Sequence, residues 1–219
     1  MKLNGIIDLS KNNVLFCSDL HYNHSNILKM NDTRNVWSSV SEMNTWIEDN
    51  VWKSLNPGDI LFDLGDTFWK MSDDKIRNIL SNIPKGVELH KVIGNHDPFG
   101  LFNLAKGSLK DYYKTISDIL DITVRYEGKD YMITLCHYPL VSWNHKPYGS
   151  FMLHGHCHGY IDSFNNSTPD LRLDIGMDGE LCQKLRKPIL SFRDILDYFE
   201  EKVGNSDFEK FVKSNKFNL

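Results

Sequence analysis

The chain has 219 residues, with 25 Lys+Arg against 29 Asp+Glu and a formal net charge of −4. That length fits one domain with a sizeable core, and the charge balance excludes a generally basic, DNA-coating protein while leaving a local basic groove open. No apolar run is long enough to span a bilayer, and residues 1–8 lack the apolar centre of a signal peptide. The four cysteines (Cys17, Cys136, Cys157 and Cys182) form no Cys-x-x-Cys pair. Free thiols in a reducing, cytoplasmic setting are the expectation.

In chain order, residues 14–17 form a short apolar run that leads into Asp19 and His21. Residues 22–34 are rich in Asn and His and read as a loop with one helical turn. Ser39 and Glu42 have capping-box spacing, and Val40, Met43, Ile47, Val51 and Leu55 follow at helical intervals up to Asn56-Pro57-Gly58. A second strand over residues 60–63 runs into Gly65-Asp66. Ser72, with Asp73 and Asp74 behind it, then predicts a helix start with Ile76, Ile79, Leu80 and Ile83 on one face. A third strand over residues 88–93 ends in Gly94-Asn95-His96-Asp97, and residues 101–120 read as loop and helix.

Strand-rich sequence follows. Residues 122–126 and 131–136 predict a hairpin about a turn at 127–130, ending on His137. Residues 151–153 form a short strand before His154-Gly155-His156-Cys157-His158, residues 171–175 another strand, and residues 189–201 a closing helix. Residues 1–203 read as one domain and 204–219 as a polar tail, with a short helix that packs on the body or on a partner. Strand–helix alternation followed by strands predicts two sheets packed face to face with helices outside.

Five strand ends thus carry polar clusters: Asp19/His21, Asp66, Asn95/His96/Asp97, His137 and His154/His156/His158. In open α/β sheets, ligands sit at the carboxyl ends of strands. Carboxylates, an amide and several imidazoles without an obligatory thiolate suit Mn²⁺, Fe²⁺ or Zn²⁺. The set is larger than one ion needs and fits a two-metal site.

As an ordered series, Asp19-Leu20-His21, Gly65-Asp66, Gly94-Asn95-His96-Asp97, His137 and Gly155-His156-Cys157-His158 resemble the blocks of the calcineurin-like metallophosphoesterases. They are most similar to the small single-domain branch of bacteria and their phages. The resemblance implies an α/β/β/α sandwich of two mixed sheets flanked by helices. It also implies two divalent ions, Mn²⁺ foremost, with Fe, Zn or Ni as alternatives. By the same resemblance, Asp19, His21 and His158 hold the first ion and Asn95, His137 and His156 the second, with Asp66 bridging. His96 protonates the leaving oxygen after attack by a bridging hydroxide, and Asp97 orients the His96 ring. His24 and His154 are placed at the rim against substrate phosphate, where Asn95 also reaches, or else are ordinary loop histidines; Cys157 is expected to point away from the metals.

The implied substrate is a small phosphorylated molecule, a nucleotide or a nucleic-acid end. A phosphodiesterase is the leading reading, and a phosphomonoesterase or a binding scaffold is the alternative. Trp37, Trp69 and Trp143 are candidates for base stacking as well as for packing. Thr67-Phe68-Trp69 after Gly65-Asp66, where the Ser/Thr protein phosphatases carry Val-Asp-Arg-Gly, and Asp97 in place of their Glu, argue against that branch.

Overall fold

The structure, a computed structural model, describes residues 1–97 and 109–204. The loop and helix expected within 101–120 and the helix expected in the tail therefore lie wholly or partly outside the described residues. The strands are β1 (Ile7–Asp8), β2 (Val14–Cys17), β3 (Ile60–Asp63), β4 (Glu88–Val92), β5 (Thr115–Ser117), β6 (Ile119–Tyr126), β7 (Lys129–Cys136), β8 (Phe151–His154), β9 (Arg172–Asp174) and β10 (Leu190–Ser191). The α-helices are α1 (Ile27–Met30), α2 (Val40–Ile47), α3 (Asp73–Ser81), α4 (Asp162–Ser167), α5 (Glu180–Leu185) and α6 (Phe192–Val203).

Two five-stranded mixed sheets result. One has the order β10-β2-β3-β4-β5, parallel except for β10; the other runs β1-β6-β7-β8-β9, with β6 and β7 as an antiparallel hairpin and β8 and β9 parallel to β7. Strand alternation decides which residues face which layer. Val14, Phe16, Ile60, Phe62 and Val92 join Ile122, Val124, Ile133, Leu135, Phe151 and Leu153 in a core between the sheets, which α6 completes with Phe192, Ile195, Leu196 and Phe199. The opposite face of the first sheet, with Cys17, Leu61 and Leu89, packs on Met43, Ile47, Val51, Ile76 and Leu80 of the α2 and α3 segments. The far face of the second sheet, with Cys136 and Met152, is covered by Trp143 and by α4, whose Asn165 bonds His154 and Arg172. The architecture is the expected α/β/β/α sandwich.

The helix expected from Val40 to Leu55 changes type partway. Ser39 caps it through Glu42 N–H at 3.2 Å, but from Glu48 to Trp52 the turn widens to a π-helix. Met43, Ile47, Val51 and Leu55 recur every fourth residue, which drifts ~40° per step around an α-helix. A π turn takes up that drift, and all four side chains are buried. The hairpin turn is tighter than expected. Only Glu127 and Gly128 lie outside the strands, with φ of 49° and 76°, the left-handed pair of a two-residue hairpin loop.

Candidate metal centre

The carboxyl ends of β2, β3, β4, β7 and β8 converge at one edge of the sandwich. Past β2 and β3 the two chains stay paired: Asp19 N–H donates to Gly65 O and His21 N–H to Asp66 O, both at 3.0 Å. A parallel bridge between Ser18 and Gly176 brings the second sheet alongside. Asp19, His21, Asp66, His156 and His158 all have left-handed backbone, with φ between 48° and 68°. For residues other than glycine that conformation costs ~1–2 kcal/mol each and gathers at functional sites.

Two glycines permit the closeness. A Cβ on Gly94 would lie 2.2 Å from Asp66 Oδ1, and one on Gly155 would lie 2.1 Å from Asp19 Oδ2. The turns carrying Asn95 and His156 can approach the carboxylates only because these positions have no side chain.

Asp19, His21 and His158 each offer a donor atom within 4.8 Å of the others, and Asp19, Asp66 and His137 form a second such group. Asn95 Oδ1 lies 3.0 Å from His137 Nε2 and 2.8 Å from His156 Nδ1, so Asn95 and His156 join the second group through His137. Asp66 Oδ2 is 3.9 Å from His21 Nε2 and 3.5 Å from His137 Nε2, between the two groups. The structure thus brings together all seven residues expected to hold metal.

A neutral His21 and an ionised Asp66 suit cation binding, and a bound cation would be needed to hold the buried Asp19 carboxyl ionised. Asp19 Oδ1 and His21 Nε2 are buried and have no hydrogen-bond partner among the described residues, and buried polar atoms rarely stay unpaired. Burial pushes the Asp19 carboxyl up, against the pull of His137 and His158, and pushes the His21 imidazole down to about 3. Asp66, opposed by burial, is held down at about 2 by His137, the His96 N–H and His21. His137 Nδ1 faces Leu64 O at 2.8 Å and His158 Nδ1 faces Asp178 Oδ2 at 2.7 Å, which turns each Nε2 toward the carboxylates. Ligating histidines are ordinarily oriented by such partners. The donor set fits divalent cations.

His96 is exposed at the mouth. Its N–H donates to Asp66 Oδ1 at 2.7 Å, and its ring lies 4.7 Å from that of Trp69, edge to face. Asp97 does not orient that ring; the expectation is corrected. Asp97 Oδ2 accepts the N–H of Gly94 at 2.9 Å and of Asp66 at 3.1 Å, and pairs with Lys91 Nζ at 3.0 Å. Its carboxylate is drawn inward because Lys91 is fully buried and also meets Asp63 Oδ2 at 2.9 Å and Thr67 Oγ1 at 2.7 Å. Burial would lower the Lys91 ammonium, but Asp63 and Asp97 outweigh it and hold its pKa above the ordinary value.

The rim histidines are corrected too. His154 is fully buried as the last residue of β8, with Nδ1 on Gly155 O at 2.8 Å and Nε2 beside Asn165 Nδ2 at 3.2 Å. His24 is 6% exposed; its Nδ1 meets His21 Nδ1 at 3.2 Å and its ring stacks on Trp69 at 3.7 Å. It braces a metal-site histidine. Arg34, Asp178 and Lys91 escaped the sequence reading. Lys91 had a signal, a lysine within a strand flanked by others in a parallel sheet, where both faces are covered. Asp178, three residues past residues 171–175, is a sixth polar strand end.

His154 yields a pH prediction. Burial lowers its pKa to about 4, below the unfolded value of ~6.5. Between those values the unfolded chain holds a proton that the folded protein does not, so stability falls as pH drops through the window. For metal-free protein the loss is ~2 kcal/mol between pH 6.5 and pH 5. Urea unfolding of wild type and His154→Gln at both pH values checks this, since the variant should lack that part of the slope.

Comparison with known proteins shows the family. The model of the family described as calcineurin-like phosphoesterase matches residues 13–219, and the chain belongs to that family. An uncharacterized protein of Methanocaldococcus jannaschii is 27% identical over 162 residues, 74% of this chain and 78% of the relative. The crystal structure of a protein of unknown function from Aquifex aeolicus superposes with a TM-score of 0.58 at 22% identity, covering 85% of this chain and 99% of that one; at that identity the likeness concerns the fold. The family is one of metal-dependent phosphoester hydrolysis. Among the described residues no helix is long and apolar enough to cross a membrane.

Proposed function

We propose that this protein is a phosphodiesterase acting on a nucleotide or nucleic-acid diester, with Asp19, His21 and His158 holding one divalent ion and Asn95, His137 and His156 a second, and Asp66 between them. The observation that carries the reading is the pair of donor groups that share Asp19, with Asp66 lying between His21 and His137 and two buried donor atoms left unpaired. Two bound dications, with Mn²⁺ the expected pair, would supply Lewis acidity toward the phosphoryl oxygens and the attacking water.

The chain's own residues do the rest. His96 stands exposed beside the donor groups, free to deliver a proton to the departing oxygen. Trp69 lies against His96 on one lip, and the exposed Tyr138 ring lies 4.7 Å from that of His156 on the other. A diester has an organic group on each side of phosphorus, and the aromatic side chains beside the donor groups that could receive them are the exposed Tyr138 and the half-buried Trp69, one face of which His24 covers.

The test compares bis-p-nitrophenyl phosphate with p-nitrophenyl phosphate, using metal-stripped protein with and without Mn²⁺. Mn²⁺-dependent cleavage that favours the diester is expected, and Asp66→Ala, which removes the group between the two sets, should bind neither ion tightly and be inactive. Preference for the monoester would overturn the diester reading, and activity in metal-stripped protein would overturn the metal reading.

A further inference from the structure

Arg34 lies wholly inside the protein beneath the site, though nothing in its surrounding sequence marks it. Its Nε and Nη2 pair with both oxygens of Asp178, at 2.6 and 2.8 Å. The same guanidinium donates to Asp19 O at 2.6 Å and to Leu20 O at 3.1 Å. Asp178 in turn takes His158 Nδ1 at 2.7 Å and the Thr33 hydroxyl. We propose that Arg34 and Asp178 form a positioning unit for one ion only, the one assigned to Asp19, His21 and His158.

The contacts of Arg34 and Asp178 fall on one side of the site, with Asp19 the residue common to both groups. The carbonyls of Asp19 and Leu20 lie in the segment whose residues Asp19 and His21 adopt left-handed backbone, with φ of 54° and 48°. A planar guanidinium fork can hold both carbonyls and a carboxylate at once, which an ammonium cannot. Through Asp178 the same fork fixes the His158 ring, leaving His158 Nε2 3.9 Å from Asp19 Oδ1.

One guanidinium thus holds the Asp19 carbonyl directly, the His21 peptide through the Leu20 carbonyl, and the His158 ring through Asp178. The other group is held elsewhere: His137 by Leu64 O, His156 by Asn95 and by its N–H on Asp19 Oδ2, and Asp66 by Asp97. Among the described residues none of Asn95, His137 and His156 bonds to Arg34 or Asp178. A buried ion pair adds little net stability over an apolar filling of the same volume, so its contribution here is alignment.

The inference rests on the two-ion reading above. Its test is calorimetric titration of metal-free protein with Mn²⁺, beside His158→Ala and His156→Ala as markers of the two sites. Asp178→Asn and Arg34→Met should each weaken the ion that His158→Ala abolishes by ~10–100-fold, and leave the other ion within about twofold. Arg34→Lys should restore little. In the His158→Ala background, Asp178→Asn should change nothing further.

Equal weakening of both ions, or of neither, in variants that circular dichroism shows to be folded at the titration temperature would overturn the inference. If Arg34→Met does not fold, the isosteric Asp178→Asn decides. A wild type that binds a single ion would instead overturn the two-ion reading itself.

Discussion

His96→Ala should turn over a diester with a poor, alkoxide-type leaving group ~10²–10⁴-fold more slowly than wild type, the usual range for losing a general acid. Metal content should be unchanged, because the His96 imidazole is not among the donor atoms that gather in either group. The contact that His96 makes to Asp66 Oδ1 comes from its backbone N–H, and alanine keeps that. The loss should depend on the leaving group. A p-nitrophenolate departs without needing a proton, so bis-p-nitrophenyl phosphate should suffer much less than a dinucleotide or an alkyl ester. Steady-state kinetics with both kinds of substrate, and metal analysis of the same samples, separate the possibilities. Equal losses for good and poor leaving groups would show that His96 binds the phosphoryl group, and loss of metal would show that it is a ligand.

That site was legible because its chemistry lies where apolar runs stop. Each cluster follows a strand that carries Val, Ile, Leu or Phe on a buried face, and parallel strands deliver their carboxyl ends to the same edge. What failed were readings from adjacency along the chain. His154 precedes Gly155-His156-Cys157-His158 and reads as one of the cluster, yet it is still in β8. Strand alternation puts it on the face of Met152, under α4, where Asn165 meets its ring.

Asp97 follows His96 and reads as its partner, but the turn from Gly94 to Asp97 folds the carboxylate back onto its own backbone and onto Lys91. The Arg34–Asp178 pair joins residues 144 apart in sequence, and no local pattern announces such a contact. The short edge strands β1, β5 and β10 were missed for a related reason. Two or three residues are too few to show a period, and they are strands only because a neighbour pairs with them.

Lys91→Met should cost ~3–5 kcal/mol of stability, the usual penalty for removing one partner of a buried ion pair. Methionine fills much the same volume but leaves Asp63 and Asp97 without the ammonium that sits 2.9 and 3.0 Å from them. For a chain of this size that corresponds to a melting temperature lower by roughly 6–20 °C. It is a large share of the ~5–15 kcal/mol that holds a domain together.

The pH dependence has a definite sign. Without Lys91, burial raises the Asp97 carboxyl above its unfolded pKa of ~3.9, so the variant is best off below that value, where the group is neutral in both states, and loses stability as pH rises through the folded pKa. The gap from wild type should therefore be widest near neutral pH and narrow toward pH 4. Lys91→Met combined with Asp63→Asn should recover part of the loss, since one of the two abandoned carboxylates is gone. Thermal melts of metal-free wild type, single and double variants at pH 7 and pH 5 supply the comparison. A single variant within 1 °C of wild type at pH 7 would mean that the two carboxylates are neutralised some other way, and that Lys91 does not hold the turns carrying Asp66 and His96.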